Sequence, residues 1–440
     1  MNLNVDFNQV TGKIKAMHAV GQPPMPYLDT SYMHYLSEAH IPYSRLHDVG
    51  GWWGGNMFVD IPNLFRDFDA DPEDPASYDF TFTDILMKAL MEQNCKPYFR
   101  LGVTIENFHR SKAYRVYPPK DFEKWARICE HVVRHYNEGW ADGYHYNIRY
   151  WEVWNEPDDA AEDYNQSSMW KGTWQQYFDL YRITAKRLKA CFGNTIKVGG
   201  YACTGLYQWF LGGEALFHKE NRTPSEERQV LRTKFFRDFL TMVRDGKVPF
   251  DFFSIHSYQS VENTLLMQDF VEQELERYGF GDVEIHLNEW NVCYQREDRG
   301  SSRAAAHTAA MMCAMQNRKM HLMCYYDAQI GISQYGGLFD PSSMKPVSTY
   351  YSLKAFGELY MLGNQVSCQW EQPGVYAVAA AGEAGKAVML TNVSDSAVEV
   401  ECGAAKGMTV YLVDDAHMLE SVDWNPANFT LEVNQTVLLK

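Results

Sequence analysis

The sequence predicts an α/β chain: a (β/α)8 barrel of the TIM type over residues 15–362, followed by a small antiparallel, sandwich-like β accessory domain over 363–440. Three observations predict it. Eight strand-like runs alternate with helix-period segments, the strand-to-helix connections are long where the helix-to-strand ones are short, and beyond Leu362 the helical period gives way to period-two alternation.

The strand runs are Lys15–Val20, Tyr43–His47, Lys96–Gly102, Arg149–Trp154, Lys197–Ala202, Asp251–Tyr258, Glu284–Trp290 and His321–Ala328. Amphipathic stretches lie between them at Phe82–Gln93, Phe122–His135, Trp174–Cys191, Val230–Arg244, Val261–Tyr278, Ala304–Gln316 and Ser348–Leu362. Such alternation implies a parallel sheet, and eight units favour closure into a barrel. The long connections, Asp48–Thr81, Cys203–Glu227 and Gln329–Val347, all follow strands. In a barrel they share the C-terminal face, where active sites sit. In the last 78 residues the runs Val375–Ala380, Lys386–Asn392, Ala397–Cys402, Met408–Leu412 and Thr430–Leu439 read as antiparallel strands, and Leu3–Gln9, within an N-terminal stretch 1–14, is expected to join them.

Composition narrows the function classes. With 46% hydrophobic and 22% charged residues the chain can bury a large core, and a net charge of −16 opposes binding to a phosphate backbone. No nucleic-acid partner is expected. The absence of a long apolar run predicts no membrane span, and the polar start at Met1–Gly12 reads as cytoplasmic. Nine scattered cysteines without CxxC spacing predict free thiols, with no metal site and no cofactor; the glycines of Gly50–Gly55 lack the strand–GxGxxG–helix context of a dinucleotide loop.

Chemistry concentrates in two motifs. Tyr150-Trp151-Glu152-Val153-Trp154-Asn155-Glu156-Pro157 closes the fourth strand, and His286-Leu287-Asn288-Glu289-Trp290-Asn291 closes the seventh. Pro157 stops the strand, so Glu156 and Glu289 are expected on the same rim. Paired carboxyls facing each other suit glycosidic cleavage, where one protonates the leaving oxygen and the other attacks the anomeric carbon. On the second strand Arg45 and His47 share a face.

Those motifs, with Arg45-Leu46-His47 and Tyr78-Asp79-Phe80, resemble the clan of retaining glycosidases whose acid/base follows strand four and whose nucleophile ends strand seven, and within it glycoside hydrolase family 39, the β-xylosidase and α-L-iduronidase family. The resemblance spans most of residues 15–361. It implies Glu156 as acid/base, Glu289 as nucleophile and Asn155 as a ligand of the sugar 2-hydroxyl. It further implies Arg45 beside Glu289 or as an ion-pair partner of Glu152, His47 holding hydroxyls, Tyr258 donating to Glu289 or packing in the core, and His256 lining the pocket. Asp48, Trp52, Trp53, Trp290 and Tyr326 either touch sugar or pack.

The function this implies is a retaining, exo-acting, β-xylosidase-like hydrolase of xylosyl or arabinosyl oligosaccharides. The alternatives are an arabinosidase, galactosidase or iduronidase-like enzyme with the same mechanism, or a noncatalytic carbohydrate-binding barrel. The stretch Arg100–Glu106 and the end of strand eight, Tyr325-Tyr326-Asp327, depart from the xylosidase pattern, which leaves the sugar open. A homo-oligomer is compatible with this reading.

Overall fold

Eight strands rich in β-branched and aromatic residues, each followed by a return segment, have one way to bury both faces: the strands close on themselves and the helices wrap the outside. The computed structural model has this form. It describes the chain except residues 25, 28–29, 50–58, 106–115, 160–166, 292–295 and 331–334. Strand β1 (Asn4–Lys13) precedes the barrel. The barrel strands are β2 (Ala16–Gly21), β5 (Tyr43–Leu46), β6 (Lys96–Leu101), β7 (Tyr150–Val153), β8 (Lys197–Cys203), β9 (Phe252–Ser257), β10 (Glu284–Trp290) and β11 (Leu322–Tyr325), all parallel and closed by the β11–β2 pairing. A two-residue pair, β3 (Pro26–Tyr27) and β4 (Thr30–Ser31), lies in the first rim loop.

The helices are α1 (His34–Glu38), α2 (Ile61–Leu64), α3 (Thr81–Glu92), α4 (Phe122–Glu138), α5 (Trp174–Phe192), α6 (Pro224–Asp245), α7 (Val261–Arg277), α8 (Ser302–Gln316) and α9 (Ser348–Leu362). Helix α6 starts earlier than its apolar period suggests. Thr223 caps it with a reciprocal Thr223/Glu226 capping box and Pro224 occupies its first position, a start signal that hydrophobic periodicity does not register. The short α1 and α2 lack enough turns to show a period at all. No helix among the described residues is long and apolar enough to cross a membrane, and every described cysteine is a free thiol.

Inside the barrel, side chains stack in layers. Tyr98, Tyr150, Phe252 and His286 fill the lower layer, with ring centroids of Phe252 and His286 4.7 Å apart. Gly199 faces Phe252 so closely that an added Cβ would lie 2.2 Å from the Phe252 carbonyl oxygen, which is why that position carries no side chain. Above them Arg45, Glu152, Ser254 and Asn288 form a polar layer, and the candidate site lies on top of it.

The C-terminal strands are β12 (Asn364–Gln369), β13 (Val375–Gly382), β14 (Gly385–Asn392), β15 (Val398–Glu401), β16 (Val410–Val413), β17 (Met418–Val422), β18 (Asn428–Leu431) and β19 (Thr436–Leu439). Seven strands form one antiparallel sheet in the order β1-β12-β13-β14-β19-β16-β17, and β15 pairs with β18 as a second layer. Alternation assigns the faces. Ala377, Ala379, Val388 and Leu390 point to the core shared with Val400 and Phe429, while Val378, Ala380, Ala387 and Met389 join the barrel's core on α8 and α9. Helix α8, built on Ala and Met, is therefore buried almost all round. Two strands do not show in the sequence: β12 carries few apolar residues, and β17, MLESV, has no period-two alternation. The run Thr430–Leu439 proves to be two strands, because Asn434 turns the chain in the left-handed region (φ 62°).

Candidate active site

Period-two geometry directs Arg45 and His47 from the second barrel strand, Glu152 from the fourth, and Ser254 and His256 from the sixth, all into the barrel. The seventh strand behaves differently. Its register with both neighbours slips at Leu287–Glu289, a bulge that turns both Asn288 and Glu289 inward. Strict alternation from His286 would have sent Glu289 outward and Trp290 inward. The bulge reverses this: Trp290 is fully buried in the layer outside the barrel, edge-on to Tyr325 with centroids 5.4 Å apart. Of the two readings of Trp290, sugar contact or packing, this burial supports packing. On the fourth strand the chain leaves β-geometry just where it needs to, with Trp154 (φ 73°) and Glu156 (φ 46°) both left-handed. Such residues persist when their surroundings hold them, as here Glu156 N–H donates to Ala202 O at 3.1 Å.

The guanidinium of Arg45 organises the centre. It donates from Nε to Glu152 at 2.8 Å, from Nη1 to Glu289 Oε2 at 3.1 Å, and from Nη2 to Asn155 Oδ1 at 2.5 Å. Both partners considered for it from sequence are thus engaged at once. Glu152, with no exposed surface, also accepts from Ser254 Oγ at 2.6 Å and Asn288 Nδ2 at 2.5 Å, so its charge is fully compensated. Removing one member of a buried ion pair strands the other. Glu152→Leu is expected to lower stability by about 3–5 kcal/mol, read by urea denaturation; an unchanged midpoint would show the pair contributes nothing.

Glu289 is bonded on both oxygens: Tyr258 Oη donates to Oε1 at 2.5 Å and Arg45 holds Oε2. Glu156 meets His256 Nδ1 at 2.7 Å, and His256 Nε2 lies 3.6 Å from Glu289 Oε2. Ligand-type atoms of Glu156, His256 and Glu289 all fall within 4.8 Å of one another. The three form one cluster at the barrel mouth. His47, also buried, lies 3.3 Å from Asp48 Oδ1. Tyr326 Oη donates to Asp48 Oδ2 at 3.3 Å and receives a bond from Gln22. Trp52 and Trp53, with the rest of Gly50–Gly55, lie outside the described residues, as does Glu106.

The electrostatics separate the two carboxyls. Burial, then the charges of Asp159 and Asp158, push Glu156 up to about 8 against the pull of Arg232 and Arg45. Burial raises Glu289 too, but His256, Arg45 and the Tyr258 hydroxyl all oppose it, and Glu156 is its chief unfavourable neighbour. In a coupled pair of this kind the shared proton resides on the group with more negative neighbours, which is Glu156. Burial pulls His256 down to about 4, so its ring is neutral. Burial raises Asp48 to about 7, with the Ile105 N–H bond lowering and Glu289 adding to the rise.

Several contributors carried no sequence signal of their own. Asp158 accepts from Thr204 Oγ1 at 2.7 Å and Cys203 Sγ at 3.2 Å, and Arg232 reaches Asp159 at 3.2 Å from α6. These groups act through space on Glu156, and nothing in a linear sequence marks an arginine 76 positions away as its neighbour. Gln22 stands alone after the first strand, and Tyr335, stacked on Tyr258 at 4.9 Å, follows a long loop.

Residues 3–326 match the profile of glycosyl hydrolases family 39. The chain belongs to that family. Among curated relatives, a β-xylosidase of Geobacillus stearothermophilus is 26% identical over 270 residues, 55% of this chain and 46% of the relative. A β-xylosidase of Caldicellulosiruptor saccharolyticus is 29% identical over 231 residues, 50% and 37% of the two chains. The alignments therefore span less than half the length of these curated relatives. Two solved structures share the fold across the whole chain: a glucosidase from Croceicoccus marinus (TM-score 0.77, 19% identity, 100% of this chain and 98% of that one) and a GH39 β-xylosidase from Caulobacter crescentus (TM-score 0.67, 17% identity, 100% and 99%). The barrel with its β-sandwich-like C-terminal region is thus a shared architecture.

Proposed function

We propose that this family 39 protein is a retaining glycoside hydrolase, exo-acting and β-xylosidase-like, working by double displacement with Glu156 as acid/base and Glu289 as nucleophile. The observation that carries the reading is the separation of the two carboxyls. Retaining enzymes hold them about 5–5.5 Å apart and inverting ones about 6.5–9.5 Å apart to admit a water, and the approach of Glu156 to Glu289 within 4.8 Å favours the former. Both curated relatives above are β-xylosidases, which supports a xylosyl unit; the glucosidase neighbour keeps a glucosyl unit as a comparison substrate.

In the first step Glu156, protonated at neutral pH, gives its proton to the glycosidic oxygen as Glu289 attacks the anomeric carbon and the aglycone departs. Arg45 and Tyr258 hold the attacking carboxylate in one orientation, and Arg45, by taking Asn155 Oδ1, leaves the amide N–H2 of Asn155 as the group for the sugar 2-hydroxyl. Esterification of Glu289 removes its negative charge. With that charge gone the ionised form of Glu156 is favoured, and as carboxylate it deprotonates the water that releases the sugar. Neutral His256 touches both carboxyls and can accept from Glu156 when that group is protonated or donate to it when ionised.

The test is product stereochemistry: aryl glycosides and xylo-oligosaccharides are incubated with the protein and the first-formed anomer is read by NMR. Net retention with release of terminal xylose is expected. Inversion would overturn the double displacement, and sugar binding without turnover would favour a noncatalytic barrel.

The same electrostatics predict the pH profile. Because the first step needs Glu156 protonated, kcat/KM is expected to fall as pH rises through about 8. Asp159→Asn removes a negative charge that holds this pKa up and frees Arg232, so the alkaline limb is expected to move to lower pH. A limb that stays in place would show that Asp159 does not set it.

A further inference from the structure

Around the rim the eighth strand lies opposite the fourth, from which Glu156 projects, and the first and second strands follow the eighth in order. Whatever glycoside binds must bring its scissile oxygen to Glu156 and its anomeric carbon to Glu289. The far edge of the sugar ring, with its hydroxyls, then points at the arc of strands eight, one and two. Three polar side chains converge there. Gln22 follows the first strand, Asp48 the second and Tyr326 the eighth, and they form one bonded chain: Gln22 Nε2 donates to Tyr326 Oη, which donates to Asp48 Oδ2 at 3.3 Å.

This cluster is held in place from behind. The Ile105 N–H donates to Asp48 Oδ1 at 2.9 Å, and the ring of Tyr326 packs edge-on against Tyr335, which stacks on the Tyr258 that bonds Glu289. Gln22 (φ 46°) and Asp48 (φ 51°) are both non-glycine residues in the left-handed region, side by side at the tips of adjacent strands, a conformation retained where surrounding contacts enforce it. The Asp48 side chain keeps 12% of its surface exposed while its neighbour His47 keeps 3%, so the carboxyl opens on the cavity. Among the described residues the amide oxygen of Gln22 has no partner, and Asp48 Oδ2, which accepts only from Tyr326, has a lone pair to spare.

We propose that Gln22, Asp48 and Tyr326 form the recognition site for the hydroxyls of the bound sugar remote from its anomeric carbon, and that this site takes a neutral, hydroxyl-bearing ring. The proposal rests on the hydrolase reading and refines it to a substrate class. Two acceptors, the Asp48 carboxyl and the Gln22 amide oxygen, flank one hydroxyl that is already donating, an arrangement that asks a ligand for O–H donors. A sugar carboxylate placed there would meet Asp48 with Glu289 close by, and the guanidinium that acts on Asp48, Arg100, is fully buried and ion-paired with Asp60 at 2.7 Å.

The experiment uses 4-nitrophenyl β-D-xylopyranoside, its 3-deoxy and 4-deoxy counterparts, and the β-D-glucuronide, with the whole protein, Asp48→Ala and Tyr326→Phe. Asp48→Ala is expected to lose ~10²-fold in kcat/KM on the parent xyloside, and the loss is expected to shrink to within about 3-fold on the deoxy sugar that lacks the recognised hydroxyl. Tyr326→Phe, which keeps the ring and deletes only the hydroxyl, is expected to give a smaller loss with the same deoxy dependence. The glucuronide is expected to be a far poorer substrate than the xyloside. An equal loss on all three neutral substrates, or a preference for the glucuronide, overturns the proposal. If the wild-type protein turns over none of them, the hydrolase reading fails separately, and calorimetric binding of xylose decides this one: affinity unchanged by Asp48→Ala overturns it, and affinity lost upholds it.

Discussion

Glu289→Ala is expected to reduce turnover of aryl glycosides by roughly 10⁴–10⁶-fold, because in the proposed double displacement it removes the atom that forms the covalent bond and not merely a contact that steadies the transition state. The loss should appear in kcat as well as in kcat/KM. Azide fits the space left by the carboxylate and attacks the anomeric carbon from the same side, so the variant should regain activity with azide and yield a glycosyl azide of inverted configuration. Arg45 and Tyr258, which bond Glu289 at 3.1 and 2.5 Å, remain to receive the anion. Retained activity in Glu289→Ala, or rescue with a product of unchanged configuration, would remove Glu289 from the nucleophile role.

Glu156→Ala is expected to behave differently, and the difference separates an acid/base from a nucleophile. With a poor leaving group the loss should reach about 10²–10⁴-fold, the usual range for a positioned general acid. With 2,4-dinitrophenolate, which departs without protonation, the first step should be nearly unaffected and the glycosyl-enzyme should accumulate as a burst. Azide then intercepts that intermediate and gives a glycosyl azide of retained configuration. The fall in kcat/KM through about pH 8 should vanish in this variant, since burial and the charges of Asp159 and Asp158 place that titration on Glu156. A limb that persists would have to be sought in another group, with Asp48, raised to about 7, first to examine.

Much of this site was legible before any coordinates. Pro157 after Glu156 and the repeated Asn-Glu at 155–156 and 288–289 mark strand ends, and side-chain parity places Arg45 with His47. What parity could not supply is equally specific. The same rule that works for Arg45 and His47 fails at Asn288–Glu289, where it would aim Trp290 at the sugar. Accessory strands β12 and β17, at or next to the sheet edge, escaped because β12 is largely polar and β17 has no apolar alternation to read, whereas β13 and β14, apolar on both faces, stand out.

The sequence by itself determined the fold class and the rim on which chemistry sits, because strand–helix alternation and loop-length asymmetry are local properties of the chain. It also determined which two glutamates meet, through the motifs that end strands four and seven. Tertiary structure alone decided how they are held. The bulge at Leu287–Glu289 turns Glu289 inward, the Arg45 guanidinium divides itself among Glu152, Glu289 and Asn155, and Asp158, Asp159 and Arg232 set the charge around Glu156. The physical reason is that a register slip and a Coulomb interaction depend on distances through space, between groups as much as 244 positions apart along the chain.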